Sequence, residues 1–236
     1  MRQVGFIGDD PGDLSLALYA DSDLAGDRRD CKSTSGIFLA LVGPHSFFPL
    51  AAVSRKQTAT SHSSPEAELV SLNAAVKDLG IPALMLWEVL LDRKGGVRLD
   101  LYEDNQAAAQ IVKSGKSMKL RHVKRTHGIS ISALHDEYVK KTFLMRDCHT
   151  QAQAADWFTK HFTNPESWGH AQALIGMLDS SQLARLRLCS PATGQKGGAT
   201  PLNKKPHATK AGAAVCGAPK LTEMPVSYTH LRAHET

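Results

Sequence analysis

The chain has 236 residues, of which 42% are hydrophobic and 22% are charged. These are the proportions of a core-forming protein rather than of a collagenous or wholly disordered chain. No uncharged apolar stretch approaches the roughly 18 residues of a membrane span, and the acidic N-terminus does not resemble a signal peptide. The formal net charge is +5, but six of the 28 basic and two of the 23 acidic residues lie in 190–236. That segment carries +4 and residues 1–189 carry +1, so the overall basicity belongs mainly to the C-terminal segment.

The cysteines are few and widely separated: Cys31, Cys148, Cys189 and Cys216. They form no CxxC pair, which argues against a zinc site, and a disulfide framework is untypical of a chain this long. We therefore predict an intracellular protein, cytoplasmic or nuclear and not secreted, without a membrane partner.

Composition divides the chain into four parts. We predict an N-terminal extension (1–13), a folded domain (14–165), a helical extension (166–189) and a basic tail (190–236). The tail is rich in Gly, Ala, Pro, Lys and Thr, and we expect it to be disordered because it has too few large apolar residues to offset the entropy of ordering. Its last dozen residues, PVSYTHLRAHET, resemble translated adapter sequence, and we interpret them as a sequencing artefact.

Three short apolar segments open the folded domain: Leu14–Ala20, Gly36–Val42 and Phe47–Val53. Separated by turn residues, they predict three strands of an antiparallel meander. Pro49 cannot donate a backbone hydrogen bond, so it predicts an edge position or a bulge for the third strand.

A long helix is predicted from Ser63-Ser64-Pro65-Glu66, where Ser63 is the N-cap and Glu66 is its capping-box partner. Gly80 and Pro82 should kink or break this helix. A strand (97–102), a short helix (105–114), a helical stretch (122–139), a strand (142–146) and a helix from Thr150 to Phe162 are predicted to follow. This order indicates a mixed α/β layer fold.

Four acidic residues occupy positions typical of catalytic or metal-binding sites: Asp21, Glu68, Asp104 and Asp156. Asp21 and Asp104 follow predicted strands, where sites in α/β sheets gather. Carboxylates that converge repel one another, and divalent cations such as Mg²⁺ would neutralise them. The alternative is structural, because aspartate is common in turns and acidic residues favour the first turns of helices.

Basic residues accumulate after the second candidate aspartate, and no acidic residue lies between Asn105 and Leu134. The residues concerned are Lys113, Lys116, Lys119, Arg121, Lys124 and Arg125. Such a segment can bind a phosphate backbone, although a solvated helix face has the same composition. His122, His127 and His149 are candidates for proton transfer, since histidine titrates near neutral pH.

Six motifs occur in order along the chain: YADSDLAGD (19–27), KSTSG (32–36), SRKQ (54–57), SSPEAE (63–68), DNQA (104–107) and ADWFTK (155–160). In this combination, residues 14–165 resemble the ribonuclease H domain of the Pol polyprotein of copia-type LTR retrotransposons. The resemblance implies a ribonuclease H-like fold, a five-stranded mixed sheet whose first three strands are antiparallel, flanked by helices.

The same resemblance implies endonucleolytic hydrolysis of the RNA strand of RNA–DNA hybrids. The catalytic, metal-binding carboxylates would be Asp21, Glu68, Asp104 and Asp156. They would hold two Mg²⁺ ions, with Mn²⁺ as a possible substitute. His149 is the candidate for the mobile histidine of cellular ribonucleases H. An intact element would also carry a reverse transcriptase domain, which these 236 residues lack.

Several positions depart from the family pattern. Leu24 and Ala51-Ala52 stand where aromatic residues are expected, Pro82 interrupts the long helix, and Lys124 replaces an acidic residue. These departures favour a second hypothesis, a degenerate and inactive transposon fragment that folds and binds nucleic acid. A third, another nuclease or integrase of the same superfamily, agrees less well with the DNQ, AE and ADxxTK residues.

Overall fold

A computed structural model describes residues 1–27, 29–92 and 96–183 of the chain. The predicted tail and its proposed artefact lie outside these residues. The strands are β1 (Arg2–Gln3), β2 (Ser15–Asp23), β3 (Thr34–Gly43), β4 (Ser46–Lys56), β5 (Leu99–Glu103), β6 (Leu144–Asp147) and β7 (Met177–Leu178). The helices are α1 (Ser64–Ala74), α2 (Ile81–Leu90), α3 (Gln106–Ser114), α4 (Val123–Thr126), α5 (Ile131–Val139) and α6 (Pro165–Leu174).

Five strands form one mixed sheet in the order β4-β3-β2-β5-β6. The β2–β3 and β3–β4 pairs are antiparallel, whereas β5 runs parallel to both β2 and β6. Helices flank this sheet, so the predicted ribonuclease H-like architecture and its opening meander are confirmed. Pro49 lies on the edge strand β4, at a register shift opposite Leu39 and Ala40, as its missing amide predicts.

The two faces of the sheet bury different clusters. Leu16, Leu18 and Ala20 of β2 pack with Leu69 and Leu72 of α1 in the larger core. A smaller cluster on the other face includes Phe38, Ala40 and Ala154. Side chains alternate between the faces along each strand, and as a result Ala20 and Asp21 point to opposite sides.

Of the kink or break expected at Gly80 and Pro82, the break does not occur, because the chain stays helical from Ser64 to Leu90. Residues Ala75–Gly80 instead form a π-helical turn between α1 and α2, and Pro82 lies in the first turn of α2, where a missing amide costs little. This 27-residue helix is apolar and long enough to cross a membrane, and 44% of its most apolar window is buried inside the protein.

Two other helix predictions need correction. Residues 122–139 contain two helices, α4 and α5, separated at Gly128, whose φ is +69°. The expected helix from Thr150 to Phe162 is wrong: two 3₁₀ helices, Thr150–Ala152 and Ala154–Phe158, occupy this segment. Asp156 therefore lies on a tight 3₁₀ turn.

The N-terminal extension contacts the domain and its C-terminal extension. Strand β1 pairs with β7, and Phe6 forms a β-bridge to Phe47 on β4. Gly176, with φ +73°, directly precedes β7, and its carbonyl accepts a hydrogen bond from the Val4 amide. Segments at opposite ends of the described chain thus meet beside the edge strand.

Candidate active site

Three of the four predicted carboxylates meet at one edge of the sheet, the edge at which β2 and β5 end. One oxygen each of Asp21, Asp104 and Asp156 lies within 4.8 Å of the others. Asp21 belongs to β2 and Asp104 directly follows β5. These strands are parallel, with Tyr19 opposite Tyr102 two residues before each aspartate. The two side chains therefore reach the same edge.

The 3₁₀ helix Ala154–Phe158 brings Asp156 to this edge because it approaches the sheet very closely at Gly36. A Cβ atom on Gly36 would lie 2.6 Å from Thr159 Cγ2 and 2.8 Å from the Ala155 carbonyl oxygen. Ser54, opposite Gly36 on β4, donates a 2.7 Å hydrogen bond to the Phe158 carbonyl. The glycine of KSTSG and the serine of SRKQ thus form the surface on which the Asp156 helix lies.

Lys160 and Thr159 partly compensate the negative charge of this cluster. Lys160 Nζ lies 2.6 Å from Asp156 Oδ1 and 3.8 Å from Asp21 Oδ1, and the Thr159 hydroxyl donates to Asp21 Oδ2. Burial nevertheless raises the pKa of Asp21 above its ordinary value. Burial, reinforced by Asp21 and Asp104, raises the pKa of Asp156 to about 6 despite its bond to Lys160. The site favours added positive charge or protons.

Glu68 is buried next to this trio without belonging to it. It is 4% exposed, and its Oε2 atom has no hydrogen-bond partner among the residues that the structure describes. Burial, together with the charges of Glu103, Asp21 and Asp104, raises the pKa of Glu68 to about 10. Its assignment as a metal ligand remains a prediction.

Glu103, at the end of β5, is a fifth carboxylate that the sequence analysis missed. It is 2% exposed; Oε1 accepts a 2.8 Å hydrogen bond from the Asn105 amide, whereas Oε2 has no partner in the described part of the chain. Burial, with the charges of Asp104 and Asp21, raises the pKa of Glu103 to about 8. An acidic residue after a strand gives no sign in the sequence of whether it will be buried.

Hydrogen bonds dock α1 onto the sheet close to Asp21. The Ser71 hydroxyl donates to the Asp21 backbone carbonyl at 2.9 Å. The buried Gln57 side chain donates to the Ala67 carbonyl at 3.0 Å, directly before Glu68. The glutamine of the SRKQ motif therefore holds the helix that carries Glu68.

The donor set of the site fits a hard divalent cation. Mg²⁺ prefers oxygen ligands and is bound by a few carboxylates together with waters and substrate phosphates. Asp21, Asp104 and Asp156 supply such oxygens within one small volume. The buried Oε2 atoms of Glu68 and Glu103, which have no partner among the described residues, are further oxygens that a nearby cation would stabilise.

The predicted basic residues and His149 lie mostly on the surface. Of the basic set, Lys113 is half-buried and 3.8 Å from Asp147, whereas the other five are exposed. His149 is exposed, and its Nδ1 accepts the Gln151 amide, so it caps a 3₁₀ helix. Thr150, the next residue, lines a cavity of about 410 Å³ together with Asp156. The role of His149 in proton transfer stays a prediction.

No protein-family model matches the chain. Solved structures with some similarity include LC11-RNase H1, isolated from compost by a metagenomic approach, at 17% identity and TM-score 0.40, covering 61% of this chain and 92% of that one. The N-terminal ribonuclease H domain of a Mycobacterium tuberculosis protein, fused to maltose-binding protein, matches at 14% identity and TM-score 0.40, covering 68% and 98%. The prototype foamy virus protease–reverse transcriptase matches at 15% identity and TM-score 0.39, covering 72% and 21%.

Proposed function

We propose that this protein is a retrotransposon-derived ribonuclease H that uses Mg²⁺, or Mn²⁺ in its place, to hydrolyse the RNA strand of RNA–DNA hybrids. The observation that carries the proposal is the meeting of Asp21, Asp104 and Asp156 at the edge where β2 and β5 end. The sheet topology supports the ribonuclease H part of this proposal, and the motif order supports the copia type.

Asp21, Asp104 and Asp156 would hold the metal, with Glu68 beside them. Bound divalent cations supply an activated water for in-line attack and stabilise the departing oxygen of a phosphodiester. Thr159 orients Asp21 through its hydrogen bond. Lys160 holds Asp156 at 2.6 Å, which limits the rotamers of that carboxylate before substrate binds. His149 is our candidate for proton transfer to the leaving group.

The basic segment Lys113–Arg125 would bind the phosphates of the hybrid. Phosphate contacts fix the position of a duplex without selecting its sequence. An A-like hybrid is recognised by its shape and its 2′-hydroxyl groups. We therefore expect cleavage to depend on the presence of the RNA strand and only weakly on base sequence.

The test is cleavage by the full chain of an RNA–DNA hybrid labelled on the RNA strand, across a Mg²⁺ titration, with RNA–RNA and DNA–DNA duplexes as substrate controls. Asp104→Asn should abolish cleavage because it removes a metal-binding charge. Asp136→Asn is the matched control, since Asp136 is an exposed aspartate on α5. Metal-dependent hybrid cleavage that persists in Asp104→Asn would refute the proposed site.

The second candidate function is nucleic-acid binding without catalysis, by a degenerate transposon fragment. The contact between Lys160 and Asp156 favours it, because an ammonium group at 2.6 Å competes with a metal for that carboxylate. Leu24, where the family pattern expects an aromatic residue, is 44% exposed. Hybrid binding with no turnover at any Mg²⁺ or Mn²⁺ concentration would establish this alternative.

A further inference from the structure

Glu66, two residues before Glu68 on α1, is a fully buried carboxylate that contacts three donors. Its Oε1 atom lies 3.1 Å from His122 Nε2 and 3.0 Å from His127 Nε2, and its Oε2 accepts the His62 amide at 3.0 Å. Burial opposes the charged form, but these hydrogen bonds outweigh it and hold the pKa of Glu66 below its ordinary value. Three nitrogen atoms thus engage both oxygens, and the Glu66 carboxylate acts as their hydrogen-bond acceptor.

Both histidines place Nε2 on the same oxygen, Glu66 Oε1, so both rings donate N–H groups to this carboxylate. The His127 side chain is 1% exposed, and its Nδ1 atom has no hydrogen-bond partner among the described residues. His122 is 39% exposed and closes the arrangement on the solvent side.

His122 and His127 flank α4, the short helix at the C-terminal end of the basic segment. Four residues of helix do not persist alone in water, so the segment depends on tertiary contacts. Leu120 and Val123 are buried in the core, and the two histidines attach the helix to Glu66. Lys124 and Arg125 on α4 remain exposed.

The first turn of α1, which carries Glu66, is also joined to the end of β5, where Asp104 lies. The Asn105 side chain, directly after Asp104, donates a 3.1 Å hydrogen bond to Ser64 Oγ, two residues before Glu66. The first turn of α1 therefore contacts both the strand end that carries Asp104 and the segment that carries the basic side chains.

We propose that Glu66, His122 and His127 form a clamp that fixes the basic segment Lys113–Arg125 relative to the carboxylate cluster. This inference rests on the proposed function. Glu66 is a positioning residue: its oxygens are engaged by His62, His122 and His127. With the clamp closed, phosphates bound by the segment lie at a set distance from Asp21 and Asp104. With the clamp open, the segment still carries its charge but no longer presents it in one arrangement.

The first experiment is limited trypsin digestion of the full chain, because trypsin cuts after the Lys and Arg residues of this segment. In Glu66→Gln the side-chain amide presents a donor where an acceptor is needed. We expect cleavage between Lys116 and Arg125 to accelerate by about tenfold or more as local opening becomes easier. His122→Ala removes only the half-exposed contact, so it should fold as the wild type does and show a smaller acceleration of the same kind.

The matched control is Asp100→Asn. Asp100 is also a buried carboxylate with two side-chain donors, Arg98 at 2.6 Å and Arg146 at 2.7 Å, but it lies near the start of β5. The Asp100→Asn variant should lower the global stability of the protein without accelerating trypsin cleavage in the basic segment. Equal acceleration in Asp100→Asn and Glu66→Gln, or wild-type resistance in both Glu66→Gln and His122→Ala, would overturn the clamp.

The second experiment measures hybrid binding in EDTA at several salt concentrations, and then steady-state cleavage in Mg²⁺. Opening the clamp should weaken binding by about tenfold and reduce the slope of log affinity against log salt by roughly one or more. KM should rise while kcat changes less than about threefold. If the wild type cuts no hybrid, the proposed function fails, whereas digestion and metal-free binding still decide the clamp. An unchanged salt slope in Glu66→Gln would overturn it.

Discussion

Gly36→Ala tests whether close contact with the sheet places Asp156. The glycine lies in regular strand β3, paired with Asp21 and Ser54, so alanine brings no backbone strain of its own. The added Cβ would lie 2.6, 2.8 and 3.1 Å from Thr159 Cγ2, the Ala155 oxygen and Phe158 Cβ. Ordinary contact begins near 3.4 Å, so the 3₁₀ helix would have to recede by roughly 0.6 Å at the Ala155 oxygen, and the Thr159 methyl group by roughly 0.8 Å.

Overpacking of this kind costs about 1–3 kcal/mol, which lowers the melting temperature of a domain of this size by about 2–10 °C. The displacement matters more for catalysis, since a misplacement of about 1 Å can reduce the rate by roughly a hundredfold. We therefore expect Gly36→Ala to lower kcat for hybrid cleavage by about 10- to 100-fold while hybrid binding in EDTA is retained.

Thermal unfolding and steady-state cleavage measure the two effects. Gly169→Ala is the control, because nothing lies within 4 Å of a Cβ at that position of α6. Thr159→Ser removes the closest contact but keeps the hydroxyl that bonds Asp21, so it should partly rescue Gly36→Ala in a double-mutant cycle. Unchanged melting temperature and kcat in Gly36→Ala would refute the placement of Asp156 by this contact.

Three further predictions concern charge. Burial raises the pKa of Asp156 to about 6, whereas aspartate in the unfolded chain has a pKa of about 3.9. The folded state therefore holds this proton more tightly. The stability that this proton contributes is present below about pH 4 and is lost as the pH rises through about 6. Metal-free Asp156→Asn should show a flatter decline of urea-unfolding free energy over that range, and a decline as steep as in the wild type would contradict this. Glu103→Gln keeps an acceptor for the Asn105 amide and removes a charge beside Glu68. The metal-free protein should therefore be more stable at pH 9 than the wild type. A lower urea midpoint would contradict the repulsion between Glu103 and Glu68. Lys119→Ala combined with Lys124→Ala should reduce the salt slope of hybrid binding by up to about two, and an equal slope would remove these residues from the interface.

The sequence predicts the sheet well because its signals are local. Short apolar runs bounded by turn residues define β2, β3 and β4, and Pro49 marks the edge by its own chemistry. Asp21 and Asp104 could be predicted because both lie at strand ends, where parallel strands bring side chains together. Asp156 is a candidate by position and by the motif resemblance, but its approach to the site depends on Gly36, more than a hundred residues earlier.

Other features depend on contacts that no local pattern contains. Glu66 has the spacing of a capping box, but Ser63 makes no side-chain capping bond and Glu66 instead binds His62, His122 and His127. Two of those partners lie 56 and 61 residues away. Glu103 and Lys160 likewise gain their importance only once α1 and the 3₁₀ helix have docked on the sheet.

The π turn at Ala75–Gly80 has a consequence for how the chain tolerates changes in length. A wider turn accommodates an extra residue, and Gly80 fits there with a Cβ position only 3.0 Å from Leu18 and Leu99. Losing one residue from this turn would leave an ordinary α-helix, with the faces of α1 and α2 still in register. Losing one residue between Glu68 and Ala74 would instead rotate Glu68 by about 100° relative to the helix that follows. A one-residue deletion can therefore be absorbed in the middle of this long helix, but not one turn closer to the carboxylates.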